Sequence, residues 1–347
     1  MWMLPTRRTH PTVESNDQMS PKRVVIASDK EINHAAALLR GGKLVAFPTE
    51  TVYGLGGNAL DANAVARIFE VKGRPNTSPV IVHVGDWEMV GKVAASWTPA
   101  ARMLAEKFWP GPLTLVLLKT SAVPDIVTAG LPTVGVRMPS HPVALALIKA
   151  AQVPVAAPSA NRFTQLSPTT AEHVRQGLGD RVDCILDGGP CEVGIESTVL
   201  SLVGEVPLLL RPGGVSRQQI EDLIGPVATA HHAVEGSHPA PGMHPRHYSP
   251  RTPVMLVEAG QVPEKGRGAY LQISTAPAHT VDEVITMPNN AEEYAAILYR
   301  VLHDLDAKSY DWIAVETPGS GVDWEAVLDR LRRASSFGPE NREPSTH

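Results

Sequence analysis

The chain has 347 residues, 43% of them hydrophobic and 19% charged. That composition fits a folded chain with room for two ordinary domains and excludes a disordered one. A formal net charge of −5 argues against an extended nucleic-acid-coating surface while leaving a local basic patch open.

No apolar run approaches the ~18 residues that span a bilayer, so no membrane contact is expected. Cys184 and Cys191 form neither a disulfide framework nor a four-ligand zinc set, and read as core residues. Residues 1–22 lack an apolar signal core and are expected to be a disordered leader. A cytoplasmic location follows by default.

Ser28-Asp29-Lys30-Glu31 is spaced as a capping box, and the helix it opens stops at Gly41-Gly42. Residues 43–47 form a short apolar strand ending at Pro48. The stretch Pro48-Thr49-Glu50-Thr51-Val52-Tyr53-Gly54-Leu55 then sets hydroxyls, a carboxylate and glycine after it, where α/β sheets bind ligands. Asp61 caps a helix carrying Val65, Ile68, Phe69 and Val71. That helix delivers Lys72 and Arg74 to a turn broken by Gly73 and Pro75, before the β-branched run 80–82 and His83. The helix dipole alone favours cations there; binding a phosphate is the other reading.

Thr98-Pro99 starts a helix that stops before Pro110-Gly111-Pro112, and residues 113–118 form a central strand. The strand at 131–139 places Arg137 among apolar neighbours, where a guanidinium needs either a ligand anion or a structural salt bridge. His141-Pro142 opens a helix to Ala151, and the strand 153–157 leads into Pro158-Ser159-Ala160-Asn161. Thr169 and Glu172 are spaced as a capping box. Strands follow at 184–186, 199–203 and 207–210, the last leading to Arg211-Pro212-Gly213-Gly214. Ser216 with Gln219 caps the next helix.

From about 226 to 253 the chain is rich in proline and has no apolar period, so it reads as a linker. Its His231, His232, His238, His244 and His247 show no regular ligand spacing, which argues against a metal site. Beyond it, strands at 254–257, 269–273, 284–287 and 312–315 and helices at 291–305 and 323–332 make a small second α/β domain.

The polar groups collected near strand ends are fixed donors and cations. No Ser-His-Asp spacing, GxxxxGK[ST] loop or GxGxxG fingerprint accompanies them. Such a site suits phosphoryl or nucleotidyl transfer, in which a protein mainly positions reactants and stabilises charge. A non-enzymatic RNA-binding module on a local basic groove is the alternative that the residues leave open.

The segments KGRPNTSPVIVHV, PGPLTLVL, VGVRMPSHP, PVAAPSAN, SPTTAEHV, GIESTVL and LLRPGG run in order between about 30 and 218. Together they resemble the YrdC/Sua5 family of threonylcarbamoyl-adenylate synthases. PGMHPRHYSP at 241–250 is similar to the linker signature of the longer, two-domain Sua5 type, although His244-Pro245 replaces a more usual Lys-Tyr-type pair. The hydrogenase-maturation relatives carry acylphosphatase and zinc-finger segments that are not seen here.

The resemblance implies an α/β fold, with an open twisted mixed sheet flanked by helices over 23–222. A linker or lid over 223–252 and a smaller Rossmann-like α/β domain over 253–340 would follow. It implies that L-threonine, bicarbonate or CO2, and ATP with Mg2+ give threonylcarbamoyladenylate and pyrophosphate. A separate tRNA threonylcarbamoyltransferase complex would use the product for t6A at tRNA position 37, with at most weak tRNA contact by this chain.

Carried over by motif, Thr49, His83, Arg137, Ser159 and Ser197 are implied threonine-side positions. Lys72, Arg74, Asn76, Thr133, Asn161, Ser167, Arg211 and Tyr248 are implied ATP-side positions, with Lys72 and Arg74 closest to catalysis. No resident metal ligand is implied.

Overall fold

The structure, a computed structural model, describes residues 24–229 and 248–335. The expected leader, the linker histidines and the part of the linker signature before Tyr248 lie outside the described residues. The first body opens with β1 (Val24–Ile26), α1 (Asp29–Arg40), β2 (Val45–Phe47), β3 (Gly54–Asn58), α2 (Ala62–Lys72) and β4 (Val82–His83). Next come α3 (Trp87–Val93), α4 (Pro99–Phe108), β5 (Leu113–Leu118), α5 (Asp125–Thr128), β6 (Thr133–Arg137), α6 (Pro142–Ala151) and β7 (Val155–Ala156). It closes with α7 (Ala171–Leu178), β8 (Cys184–Asp187), β9 (Thr198–Ser201), β10 (Leu208–Arg211), α8 (Arg217–Ile224) and β11 (Ala228–Thr229).

These strands form one eleven-stranded mixed sheet in the order β1-β8-β2-β3-β7-β4-β6-β5-β9-β10-β11. Strand β4 runs parallel to β6 and antiparallel to β7, whereas β5 is antiparallel to β6 and parallel to β9. Its core is a continuous cluster from α1, the central strands and α6, including Leu39, Phe47, Leu115 and Ile148.

Beyond Tyr248, β12 (Val254–Val257), β13 (Gly268–Gln272), β14 (Glu283–Thr286), α9 (Ala291–Asp306), β15 (Trp312–Glu316) and α10 (Glu325–Ser335) make a second body. Its four strands are all parallel, in the order β12-β15-β13-β14. Parallel pairing needs crossover connections, and α9 provides one between β14 and β15. Its apolar cluster takes in Val52, Leu166 and Ile195 from the first body, so the seam between the two bodies is apolar at that point. No helix among the described residues is long and apolar enough to cross a membrane.

Three features differ from the sequence expectations. Strand β3 is glycine-rich and carries no alternating pattern, yet it pairs with both β2 and β7. Thr170, not Thr169, caps α7, accepting from the His173 amide at 3.2 Å. Thr169 is turned inward and buried, with its own amide directed at His173 Nδ1. The first sheet also runs past 222, because Ala228 and Thr229 pair with Leu208 and Leu209 where the linker is expected to have begun.

Candidate active site

Helix α2 ends in a left-handed Gly73, φ 62°, with the Gly73 amide on the Glu70 carbonyl and the Arg74 amide on that of Phe69. This double closure turns the chain sharply and aims Arg74 inward. Arg74 Nη2 donates to the Pro79 carbonyl at 2.9 Å, while its buried Nε has no hydrogen-bond partner. Burial lowers the guanidinium pKa to about 10, and repulsion from Arg211 adds to this against an opposing effect of Tyr248. A buried cation with an unused donor is suited to meet an anion.

Arg74 opens on a cavity that is also lined by Thr49, His83, Arg137, Ser159, Ser197, Arg211 and Tyr248. Because the sheet is mixed, this wall combines the carboxyl ends of β2, β4, β6 and β10 with the amino ends of β3 and β9. His83 and Arg137 are register partners on β4 and β6, so their side chains emerge on one face. Gly54 lets β3 pass close to Ala157, whose Cβ would lie 3.3 Å from a Cβ at that position.

Arg137 is engaged by protein. Nη2 meets Glu50 Oε1 at 2.6 Å, Nη1 meets Thr51 Oγ1 at 2.9 Å, and Nε meets the Gly111 carbonyl at 3.2 Å. The salt-bridge reading of Arg137 is therefore realised, at the cavity wall. His83 sits edge-on to Phe47, with Nδ1 buried and unpartnered. Burial and then the Arg137 charge lower its pKa to about 3, so the ring is neutral at ordinary pH.

Arg211 directs Nε and Nη2 at the Ser197 carbonyl, 3.1 and 2.9 Å away, and Nη1 toward the Tyr248 hydroxyl at 3.5 Å. Ser197 Oγ shares a 2.8 Å hydrogen bond with Thr114, and Thr49 Oγ1 donates to the Val52 carbonyl at 2.6 Å. Among the described residues neither hydroxyl is hydrogen-bonded to a histidine that could activate it. The two thiols are buried, with Cys184 pushed up to about 11 by burial and Cys191 higher still, so neither is poised as a thiolate.

The other expected ATP-side residues stand apart from this wall. Lys72 is buried, and its Nζ donates to the carbonyls of Ser159 and Asn161, both at 2.5 Å. Burial and Arg74 push its pKa well down, yet a third acceptor, Asn161 Oδ1 at 3.4 Å, calls for the full ammonium. It clamps the 159–161 turn, so its direct contact with a ligand is not part of this geometry. Asn161 uses its amide within the same turn. Ser167 donates to Glu196 at 2.5 Å, Asn76 is exposed, and Thr133 is half-buried at the start of β6.

Glu50, Thr51 and Glu196 are site residues that sequence reasoning did not single out. Glu50 and Glu196 lie in stretches already marked as polar or motif-bearing, and a buried arginine nearby was the available signal. Glu196 also receives Arg330 Nε at 2.8 Å and the Tyr299 hydroxyl at 3.1 Å, both from the second body. Arg330 lies 134 positions along the chain, and no local pattern points to it.

Two family models match this chain. One, described as "Telomere recombination" and covering Sua5, YciO and YrdC proteins, spans residues 37–213. The other, "Threonylcarbamoyl-AMP synthase, C-terminal domain", spans residues 215–336. The chain is 45% identical to the threonylcarbamoyl-AMP synthase of Pyrococcus abyssi, covering 88% of this chain and 94% of that protein. It is 41% identical to the Bacillus subtilis enzyme of the same name, covering 93% and 96%. A crystal structure of P. abyssi Sua5 complexed with L-threonine superposes with a TM-score of 0.83 at 42% identity, covering 90% of this chain and 96% of that one.

Proposed function

The chain belongs to the Sua5/YrdC family, and we infer from that membership and its arginine-walled cavity that it is an L-threonylcarbamoyladenylate synthase. L-Threonine, bicarbonate or CO2, and ATP combine to threonylcarbamoyl-AMP with release of pyrophosphate. The observation that supports this reading best is Arg74, buried on the cavity wall with an unused Nε and bonded, among the described residues, to backbone carbonyls instead of a carboxylate.

The chemistry suits such a wall. The threonine amine adds to CO2 with loss of a proton, or to bicarbonate with loss of water, and gives a carbamate, whose oxygen attacks the α-phosphorus as pyrophosphate leaves in line. Neither step needs a protein nucleophile. What the protein must supply is alignment and positive charge on the phosphate oxygens. Arg74 and Arg211 are the cations assigned to that task.

Thr49, His83, Ser159 and Ser197 are assigned to the threonine side, with Arg137 held there by Glu50. Tyr248 and the 159–161 turn clamped by Lys72 flank the nucleotide side, with Asn76, Thr133, Asn161 and Ser167 as outlying candidates. The neutral His83 can accept or donate a hydrogen bond without adding charge.

Mg2+ is assigned to the substrate as Mg·ATP. Among the described residues no three His, Cys, Asp or Glu side chains converge on a metal position, and Glu196 on the cavity wall and Glu50 behind it each hold an arginine. The product would pass to a tRNA threonylcarbamoyltransferase complex, with any tRNA contact by this chain weak. ATP, threonine and tRNA meet in the cytoplasm, which is the proposed location. The test is incubation with labelled threonine, bicarbonate and Mg·ATP: threonine-dependent pyrophosphate and a labelled adenylate are expected, and their absence overturns the reading.

A further inference from the structure

We propose that the second domain tunes the nucleotide site through Arg330, a positioning residue whose charge neutralises Glu196 on the cavity wall. This rests on the reading that the cavity receives the phosphates of ATP. Arg330 belongs to α10, and its side chain is 0% exposed. Its guanidinium reaches two wall residues and the backbone beside a third. Nε bonds Glu196 Oε2 at 2.8 Å, Nη1 bonds the carbonyl of Pro212 at 2.9 Å, and Cζ lies over the Tyr248 ring, 5.2 Å from its centre. Pro212 directly follows Arg211, and Tyr248 is itself on the wall.

Glu196 is a cavity residue, and the next residue, Ser197, holds Arg211 through its carbonyl. A carboxylate left uncompensated there would offset one of the arginine charges and repel a triphosphate across a low-dielectric gap. Ser167 and Tyr299 donate hydrogen bonds to Glu196, but neither brings a charge. Among the described residues Arg330 is the cation within ion-pair distance of it, while Arg211 and Lys72 feel the carboxylate from farther away.

Holding the domains together does not by itself require this pair. The seam already has apolar packing through Val52, Leu166 and Ile195. Gly194 also approaches the α9 backbone so closely that a Cβ would lie 2.4 Å from the Ala295 carbonyl oxygen. A buried ion pair is in general a weak source of stability, so its placement at the cavity is better explained by its field. Asp329, which Arg330 also contacts at 2.7 Å, keeps Arg333 when Arg330 is removed.

The test uses the full chain carrying Arg330→Gln, Glu196→Gln, or both. The readouts are calorimetric binding of a Mg2+-loaded ATP analogue with a methylene α–β bridge, KM for ATP and threonine, and thermal melting. Arg330→Gln is expected to weaken analogue binding at least about tenfold while the threonine KM moves less than about threefold. The double variant, neutral at both positions, is expected to recover to within about threefold of the wild type.

A double variant as weak as Arg330→Gln, or an unaffected single variant, overturns the proposal. Should Arg330→Gln not fold, Glu196→Gln alone decides. It leaves the Arg330 charge on the wall and should tighten analogue binding, and weaker binding than wild type overturns the proposal. A wild-type protein that binds the analogue yet makes no threonine-dependent pyrophosphate would fail the synthase reading and leave this test intact.

Discussion

Arg137 Nη2 lies 2.6 Å from Glu50 Oε1 at the cavity wall, and neither side chain is more than 6% exposed. Glu50 Oε2 additionally accepts the Ser140 amide at 3.1 Å. Removing one member of such a pair strands the other charge in a medium that solvates it poorly. Arg137→Ala is therefore expected to destabilise the fold by about 3–5 kcal/mol and to raise the threonine KM. Urea unfolding and initial-rate kinetics check the two effects, and an unchanged urea midpoint would refute the pairing argument.

Arg74→Ala and Arg211→Ala each remove a cation assigned to the phosphates. By analogy with deleting one preorganised donor to developing charge, each should lower the rate roughly 10²-fold or more. Threonine-dependent pyrophosphate release at saturating substrate measures this. Wild-type rates in both variants would remove the phosphate role.

The sign of the pH dependence follows from His83. Its native pKa is depressed from 6.5 to about 3, by burial first and Arg137 second. Below pH 6.5 the unfolded chain therefore binds a proton that the native state refuses until about pH 3, and stability falls as pH drops through that window. His173, depressed to about 4 by burial and then His303, acts in the same direction. The urea midpoint should be lower at pH 5 than at pH 7.5, and His83→Asn should flatten the difference. A steeper dependence in that variant would contradict the assignment.

Gly194 has φ 76°, and a Cβ there would meet the Ala295 carbonyl oxygen at 2.4 Å. Gly194→Ala combines left-handed strain with a clash against the α9 backbone, neither of which a rotamer change relieves. A loss of at least about 1–3 kcal/mol is expected. Differential scanning should show the transition lowered or split as the two bodies separate. An unshifted single transition would show that the seam tolerates a gap.

Much of the scaffold was legible because it is written in local chemistry. The strand 113–118 and the strand 254–257 coincide with β5 and β12, since continuous apolar runs have few other solutions. The Ser216–Gln219 capping box forms in full. Strand β3 was not legible, because its signal is the lack of side chains: a Cβ on Gly56 would stand 2.7 Å from Phe47 and 2.9 Å from Val155. Only the neighbouring strands reveal why glycine is needed there.

The candidate site divides in the same way. The sequence by itself determined which residue types gather near the ligand: cations at a helix end, hydroxyls after strands, and no activated nucleophile. The family resemblance further marked Thr49, His83, Arg137, Ser159, Ser197, Arg74, Arg211 and Tyr248, which all meet at one cavity. Tertiary structure alone decided how their charges are spent. Arg137 is matched by Glu50 from another strand end, Lys72 clamps a turn, and Glu196 is answered by Arg330 from the second domain. Charge compensation depends on distance through space, and a linear sequence carries that distance only after the chain has folded.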